Sequence, residues 1–132
     1  MQQIEGLPDP ALGVSTWYAL PYDGDPVWLH GDVAVDNLLV RDGRLAAVLD
    51  FGSSGVGDPA CDMVIAWTFL DGPARDAFRA ARGADAAMWS RGRGWALWKA
   101  AITLVGSLEE GGDTARPRRD IDQVLADAAA RP

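Results

Sequence analysis

The segment GVGDPACDMVIAWTFLDGP, residues 55–73, limits what this chain can fold into more than any other. Asp58-Pro59 reads as a helix start, a capping carboxylate followed by a proline at the first helical position, where no N–H is needed. Gly72-Pro73 reads as a stop. Between them, residues 59–70 are apolar nearly all round. A helix of that kind has no face to offer water, so other elements must enclose it and it must be central. Its densest run, MVIAWTFL at 63–70, falls far short of the roughly 18 apolar residues of a membrane span. Asp62 lies in this apolar helix and needs a partner, because an unpaired buried carboxylate is costly. Cys61 reads as core packing.

The elements around this helix follow from turn and periodicity signals. Residues 1–25, punctuated by Pro8, Pro10, Pro21 and Gly24, leave room for one short helix at about 10–19 behind an Asp9-Pro10 start. PVWLH (26–30) reads as a short strand. NLLVRDGRLAAVLDF (37–51) reads as a hairpin with its tip at Asp42-Gly43. SSGVGDPA reads as a glycine-rich loop. Helices are expected at about 73–82, 85–110 and 117–129. The long one carries Trp95, Trp98, Ile102, Val105 and Leu108 along one face, and Gly92 and Gly94 predict a kink or break near its start. The fold class is therefore α+β and mainly helical, a short β-hairpin platform followed by about four helices.

Composition narrows the functions open to such a fold. With 132 residues the chain fits one domain with a real core, and 48% hydrophobic with 23% charged residues is a globular balance. The net charge of −7 argues against a nucleic-acid partner. Acidity of this kind suits solubility first, and a cationic substrate or divalent metal second. A single cysteine excludes an internal disulfide and a thiolate metal cluster. The N-terminus has neither the basic head nor the apolar core of a signal peptide, so a cytoplasmic address and no membrane partner are expected. Most of the six tryptophans are expected to be core anchors.

Chemistry concentrates in VWLHGDVAVDNLLV, residues 27–40, which holds the only histidine. The hairpin brings Asn37 and Asp50 to one end. An amide oxygen and a carboxylate facing one point form a hard oxygen site suited to Mg²⁺. Asp32 lies in the same loop, where it can orient a substrate hydroxyl and accept its proton in phosphoryl transfer. Taken singly, each of the three has an ordinary turn or capping role as its alternative; their joint spacing favours the metal–phosphate site.

HGDVAVDN, LDFG and GVGDPACD resemble, in order and spacing, the signature of the aminoglycoside phosphotransferase family and related small-molecule kinases. The resemblance implies the C-terminal lobe of a protein-kinase-like fold over residues 26–132, after a remnant linker or helix at 1–25. Within the lobe it implies a catalytic loop at 30–37, a metal loop at 50–58 and a helical subdomain at 59–129. It implies Asp32 as catalytic base, Asn37 and Asp50 as Mg²⁺ ligands, and Leu39 and Leu49 as the apolar floor under ATP or GTP. His30 becomes a loop brace, with Asp58 or Asp62 securing the loop from the buried helix. Glu109, Glu110 and Asp113 fall in the region that lines the acceptor pocket, although a solvated helix end reads as well. The partner implied is a small-molecule hydroxyl acceptor, aminoglycoside-like or another sugar or amino alcohol.

Two departures stand out. Asp36 occupies the position before the Asn where glycine is common, and aspartate tolerates the left-handed backbone a tight loop uses. The single lysine, Lys99, falls late in a helix rather than on a strand ahead of the motifs, so the nucleotide-binding N-terminal lobe is expected to be missing and the chain inactive or weak alone. That leaves two rivals to the phosphotransferase reading. One is a non-catalytic module that self-associates, as a homodimer, through apolar surface around Trp28, Leu39 and Leu49. The other is a divalent-metal phosphohydrolase using Asp32 and Asp50. GSSGVGD matches no phosphate-loop pattern, and neither Ser53 nor Ser54 sits in a nucleophile elbow. RGRG at 91–94 hints at RNA but reads more simply as a helix kink.

Overall fold

The computed structural model describes residues 21–131, so the helix expected at 10–19 lies outside the described residues. Strand β1, Val27–Leu29, pairs antiparallel with β4, Gly55–Gly57, in the register Val27 to Gly57, Trp28 to Val56 and Leu29 to Gly55. The stretch expected as a glycine-rich loop is thus partly a strand. Its short length and two glycines hide the alternation that marks strands. Strands β2, Leu38–Arg41, and β3, Arg44–Val48, form the expected hairpin, with an irregularity between Leu39 and Val40. Asp42 and Gly43 turn it at φ of 52° and 73°, the doubly left-handed turn that matches strand twist.

The central segment is not one α-helix. It is a 3-10 helix over Pro59–Val64 followed by a single α turn, α1, Ile65–Thr68. Asp58 caps it through the Ala60 N–H at 3.0 Å, and the tighter winding is already set by Cys61 N–H on the Asp58 carbonyl at 3.2 Å. The helices that enclose it are α2, Gly72–Ala81, α3, Ala86–Glu110, and α4, Ala115–Ala130. Arg75 of α2 is buried and spends its guanidinium on the end of the central segment. It donates to the Ala66 carbonyl at 2.6 Å and the Leu70 carbonyl at 3.0 Å, and to Gln123 Oε1 of α4 at 2.7 Å. Ala66 is too near the end of so short a helix for its carbonyl to find a partner there, and Leu70 lies just beyond it. Among the described residues no helix is long and apolar enough to cross a membrane.

The core is Met63, Val64, Ala66 and Trp67 from the central segment, Trp89, Ala96 and Leu97 from α3, and Val124 from α4. The Trp67 and Trp89 rings lie 4.6 Å apart at 50°. Trp89 also donates from Nε1 to Asp127 of α4 at 2.9 Å. Only these two tryptophans are core anchors among the described residues; Trp28 is 79% exposed, and Trp95 and Trp98 are exposed as well. The aromatic face of α3 turns away from the core, and the buried face is made of Trp89, Gly92, Arg93, Gly94, Ala96, Leu97 and Ala100.

Small residues on that face bring α3 close to the central segment. A Cβ at Gly92 would stand 2.8 Å from Met63 Cβ and 3.3 Å from the Trp67 ring. Gly92 and Gly94 therefore serve close packing, and the helix continues through them without the break expected. Neither arginine of RGRG is free: Arg91 pairs with Asp58 at 2.7 Å, and Arg93 with Asp127 at 3.7 Å. Gly92→Ala should lower unfolding free energy by about 1–3 kcal/mol through overpacking. Gly106→Ala, in the same helix with nothing within 4 Å, should raise it by about 0.5–1 kcal/mol. Urea denaturation of the two variants checks the contrast.

Candidate active site

β1 delivers the chain to His30 and Gly31, and the 3-10 helix takes hold of it there. Asp62 accepts the His30 N–H on Oδ2 at 2.7 Å and the Gly31 N–H on Oδ1 at 2.9 Å. The buried-helix carboxylate therefore has its partners, and Asp62 rather than Asp58 is the residue that clamps the loop. Asp58 instead faces α3, where Arg91 reaches both its oxygens, Nε to Oδ2 at 2.7 Å and Nη2 to Oδ1 at 3.2 Å. Gly31 is required as glycine: its φ is +86°, and a Cβ would stand 2.2 Å from the Ser53 carbonyl oxygen.

His30 is buried and fully engaged. Nε2 lies 2.8 Å from the Leu49 carbonyl and must donate to it, while Nδ1 accepts the Asp32 N–H at 3.2 Å. Its ring meets Phe51 edge-on at 4.6 Å. The imidazole is thus a brace that ties the loop at 30–32 to the strand end at 49–51.

Asp32 and Asn37 are joined directly. Asn37 Nδ2 donates to the Asp32 carbonyl at 2.9 Å and to Asp32 Oδ2 at 3.2 Å. Spending the amide nitrogen this way leaves Asn37 Oδ1 as the end without a hydrogen-bond partner among the described residues. The Asn37 backbone carbonyl accepts the Leu49 N–H at 2.8 Å, so Asn37 stands opposite Leu49 and beside Asp50. Asp50 holds a left-handed backbone, φ 58° and ψ 73°, rare for a residue with a side chain, and its Oδ1 accepts the Gly52 N–H at 3.3 Å. Asn37 Oδ1 and the Asp50 carboxylate are the hard oxygens at this end of the hairpin, where Asn37 stands across from Leu49. That donor set fits Mg²⁺, which takes one or two protein oxygens and completes its shell with water and phosphate. Strand alternation places Leu39 and Leu49 on the face of the hairpin that carries Asn37, both about half exposed.

A residue that sequence reasoning passed over completes the site. The Lys99 ammonium of α3 pairs with Asp32 Oδ1. This contact, with the Asn37 hydrogen bond, holds the Asp32 carboxyl below its usual range. Two cavities meet at Lys99. One, about 250 Å³, contains Asp32 and is walled by Val33, Cys61, Val64, Trp95, Trp98 and Ile102. Burial pushes the Cys61 thiol up. The other, about 310 Å³, has Asp36, Asp113, Asp120 and Arg116 among its walls. Burial raises the Asp120 carboxyl, whose Oδ1 has no hydrogen bond among the described residues. Asp113 also caps α4 through the Ala115 N–H at 2.9 Å. Glu109 and Glu110 are exposed at the end of α3 and line neither cavity.

Asp32, held by an amide and a lysine beside an adjoining cavity, is the centre of the candidate site. The chain belongs to the Phosphotransferase enzyme family, which matches residues 7–95 and implies a kinase-like fold. It is similar to an aminoglycoside 3'-phosphotransferase of Escherichia coli, 38% identical over 52 residues, and to one of Salmonella typhimurium, 39% identical over 51 residues. Each match covers 39% of this chain and 19% of the relative. No solved structure gives a significant match.

Asp62→Ala leaves two backbone donors without their acceptor and should cost about 2–4 kcal/mol. Faster amide exchange at His30 and Gly31 should accompany the loss in denaturation, with Asp62→Asn intermediate. Lys99→Met should move the Asp32 titration upward, as read by carboxyl NMR. A depressed carboxyl stabilises the fold above its unfolded value and loses that contribution as pH falls through the folded one. With Lys99 and Asp32 side chains 30% and 36% exposed, the stability change at neutral pH should stay below about 1 kcal/mol.

Proposed function

We propose that residues 26–132 act as the C-terminal lobe of an ATP-dependent phosphotransferase that moves the γ-phosphate to a hydroxyl of a small molecule. The observation that carries this reading is the division of labour within Asn37. Its amide nitrogen is spent on Asp32, and its amide oxygen is left without a hydrogen bond among the described residues, at the end of the hairpin that leads into Asp50. Asp32 orients the acceptor hydroxyl and takes its proton as the new bond forms. Asn37 and Asp50 hold Mg²⁺, which when bound neutralises charge on the phosphate oxygens. Leu39 and Leu49 supply the floor under the base of ATP or GTP. The names of the relatives suggest an aminoglycoside-like acceptor, or another sugar or amino alcohol.

In this layout the contacts above the nucleotide's phosphates belong to an N-terminal lobe. The lobe alone should therefore bind metal–nucleotide and transfer phosphate weakly. Paramagnetic Mn²⁺ added with ADP should broaden the Asn37 side-chain amide and the Asp50 signals, and Asp50→Asn should weaken this about tenfold or more. Absence of broadening at these two residues would sink the assignment. Transfer from labelled ATP, however slow, should fall about 10²-fold or more in Asp32→Asn.

A second reading is favoured by one observation. Trp28 is 79% exposed, and Leu39, Leu49, Phe51 and Val56 are each about half exposed or more on the β platform. Apolar surface of that kind is covered in working proteins, and self-association as a homodimer is the simplest cover. Sedimentation velocity that finds only monomer at high concentration argues against it.

A further inference from the structure

We infer that the acceptor is an alcohol with a flat apolar body rather than a polycationic sugar; this rests on the phosphotransferase reading and names its substrate class. The cavity that holds Asp32 is built for such a molecule. Trp95, Trp98 and Ile102 line it at helical spacing along α3, and Val64 and Cys61 of the 3-10 helix face it. The two indole rings stand perpendicular, 5.8 Å apart, and form a corner. Trp95, Trp98 and Ile102 remain 39%, 48% and 48% exposed, although α3 had Gly92, Ala96 and Ala100 to bury instead. Large apolar side chains kept half open beside a reacting carboxylate favour an apolar occupant.

Charge points the same way. Among the described residues the charged groups at this cavity are Asp32 and Lys99, and they pair with each other. Carboxylates able to collect several ammonium groups, Asp36, Asp113 and Asp120, lie in the other cavity, with Arg116 among them. At about 250 Å³ the Asp32 cavity is also below the roughly 300–1,000 Å³ of pockets for drug-sized ligands, so one or two rings fill it.

The reaction on such an acceptor balances simply. The hydroxyl O–H bond breaks with its proton passing to Asp32, and the oxygen's electron pair forms the O–P bond. The bond from the γ-phosphorus to the bridging oxygen breaks, and its pair leaves on ADP.

The test compares 2-phenylethanol, kanamycin and choline as probes on the full chain. The indole N–H signals of Trp95 and Trp98 report binding, and transfer from labelled ATP is measured in parallel. The expected result is that 2-phenylethanol shifts both indole signals at about tenfold lower concentration than the other two, and that Trp98→Ala loses about tenfold in affinity. Trp98 is half exposed, so its removal leaves the core intact, and Ile102→Ala gives an independent variant. Tighter binding of kanamycin or choline, or no shift with 2-phenylethanol, overturns the inference. Transfer to kanamycin alone overturns it too while upholding the phosphotransferase reading. Binding of 2-phenylethanol that Asp32→Asn retains, with no transfer to any probe by the parent chain, overturns that reading and leaves the apolar pocket standing.

Discussion

One carboxylate holds this structure to its purpose. Asp62 is half-buried beside the apolar residues of the central segment, where a carboxylate without partners is costly. Two backbone N–H groups of the facing loop, His30 and Gly31, resolve that cost. The same two bonds fix where β1 ends, and so where Asp32 begins. Gly31 is then pressed against the Ser53 carbonyl, which leaves no room for any other residue. His30, turned inward by its own bonded N–H, reaches the Leu49 carbonyl and draws the strand end at Asp50 toward the loop. The site geometry is a chain of consequences that starts in the core.

The second constraint is distance between helices. Gly92 lets α3 lie against Met63 and Trp67 at near backbone contact, and that closeness carries Lys99, two turns on, within reach of Asp32. It also decides which face of α3 goes inward. With glycine and alanine filling the tight side, the bulky Trp95, Trp98 and Ile102 have only the cavity side left. Core packing by small residues and an aromatic cavity wall are two results of one helix placement.

Much of this was legible in the chain. The hairpin turn at Asp42-Gly43 and the Asp58-Pro59 start each carry local chemistry that allows few alternatives. So does the need of Asp62 for a partner. Gly72-Pro73, expected as a stop, instead opens α2 after the central segment has ended at Thr68. What escaped reading depends on contacts far apart in sequence. Lys99 and Asp32 are 67 residues apart, and no local signal joins them. The aromatic stripe of α3 has the spacing of a core face, and only the tertiary demand for close approach at Gly92 turns it outward. Six residues are too few for apolar periodicity to separate a winding of 3.0 from one of 3.6, so the 3-10 character of Pro59–Val64 stayed hidden. Strand β4 was masked by its glycines.

The Lys99 contact raises a question of chemistry that the geometry can answer. In the proposed transfer, a base whose carboxyl is held below its usual range would be a weaker proton acceptor. For phosphoryl transfer that loss matters little, because the loose transition state asks for placement and charge balance more than for a strong base. Asp32 is held at both carboxylate oxygens, Oδ1 by Lys99 and Oδ2 by Asn37, and its main-chain carbonyl is held by the same amide. Each oxygen keeps a second lone pair for an acceptor hydroxyl. Fixing the carboxylate before the acceptor arrives removes the rotamer entropy otherwise lost at that moment. In the proposed role, then, Asp32 gives up basicity for position.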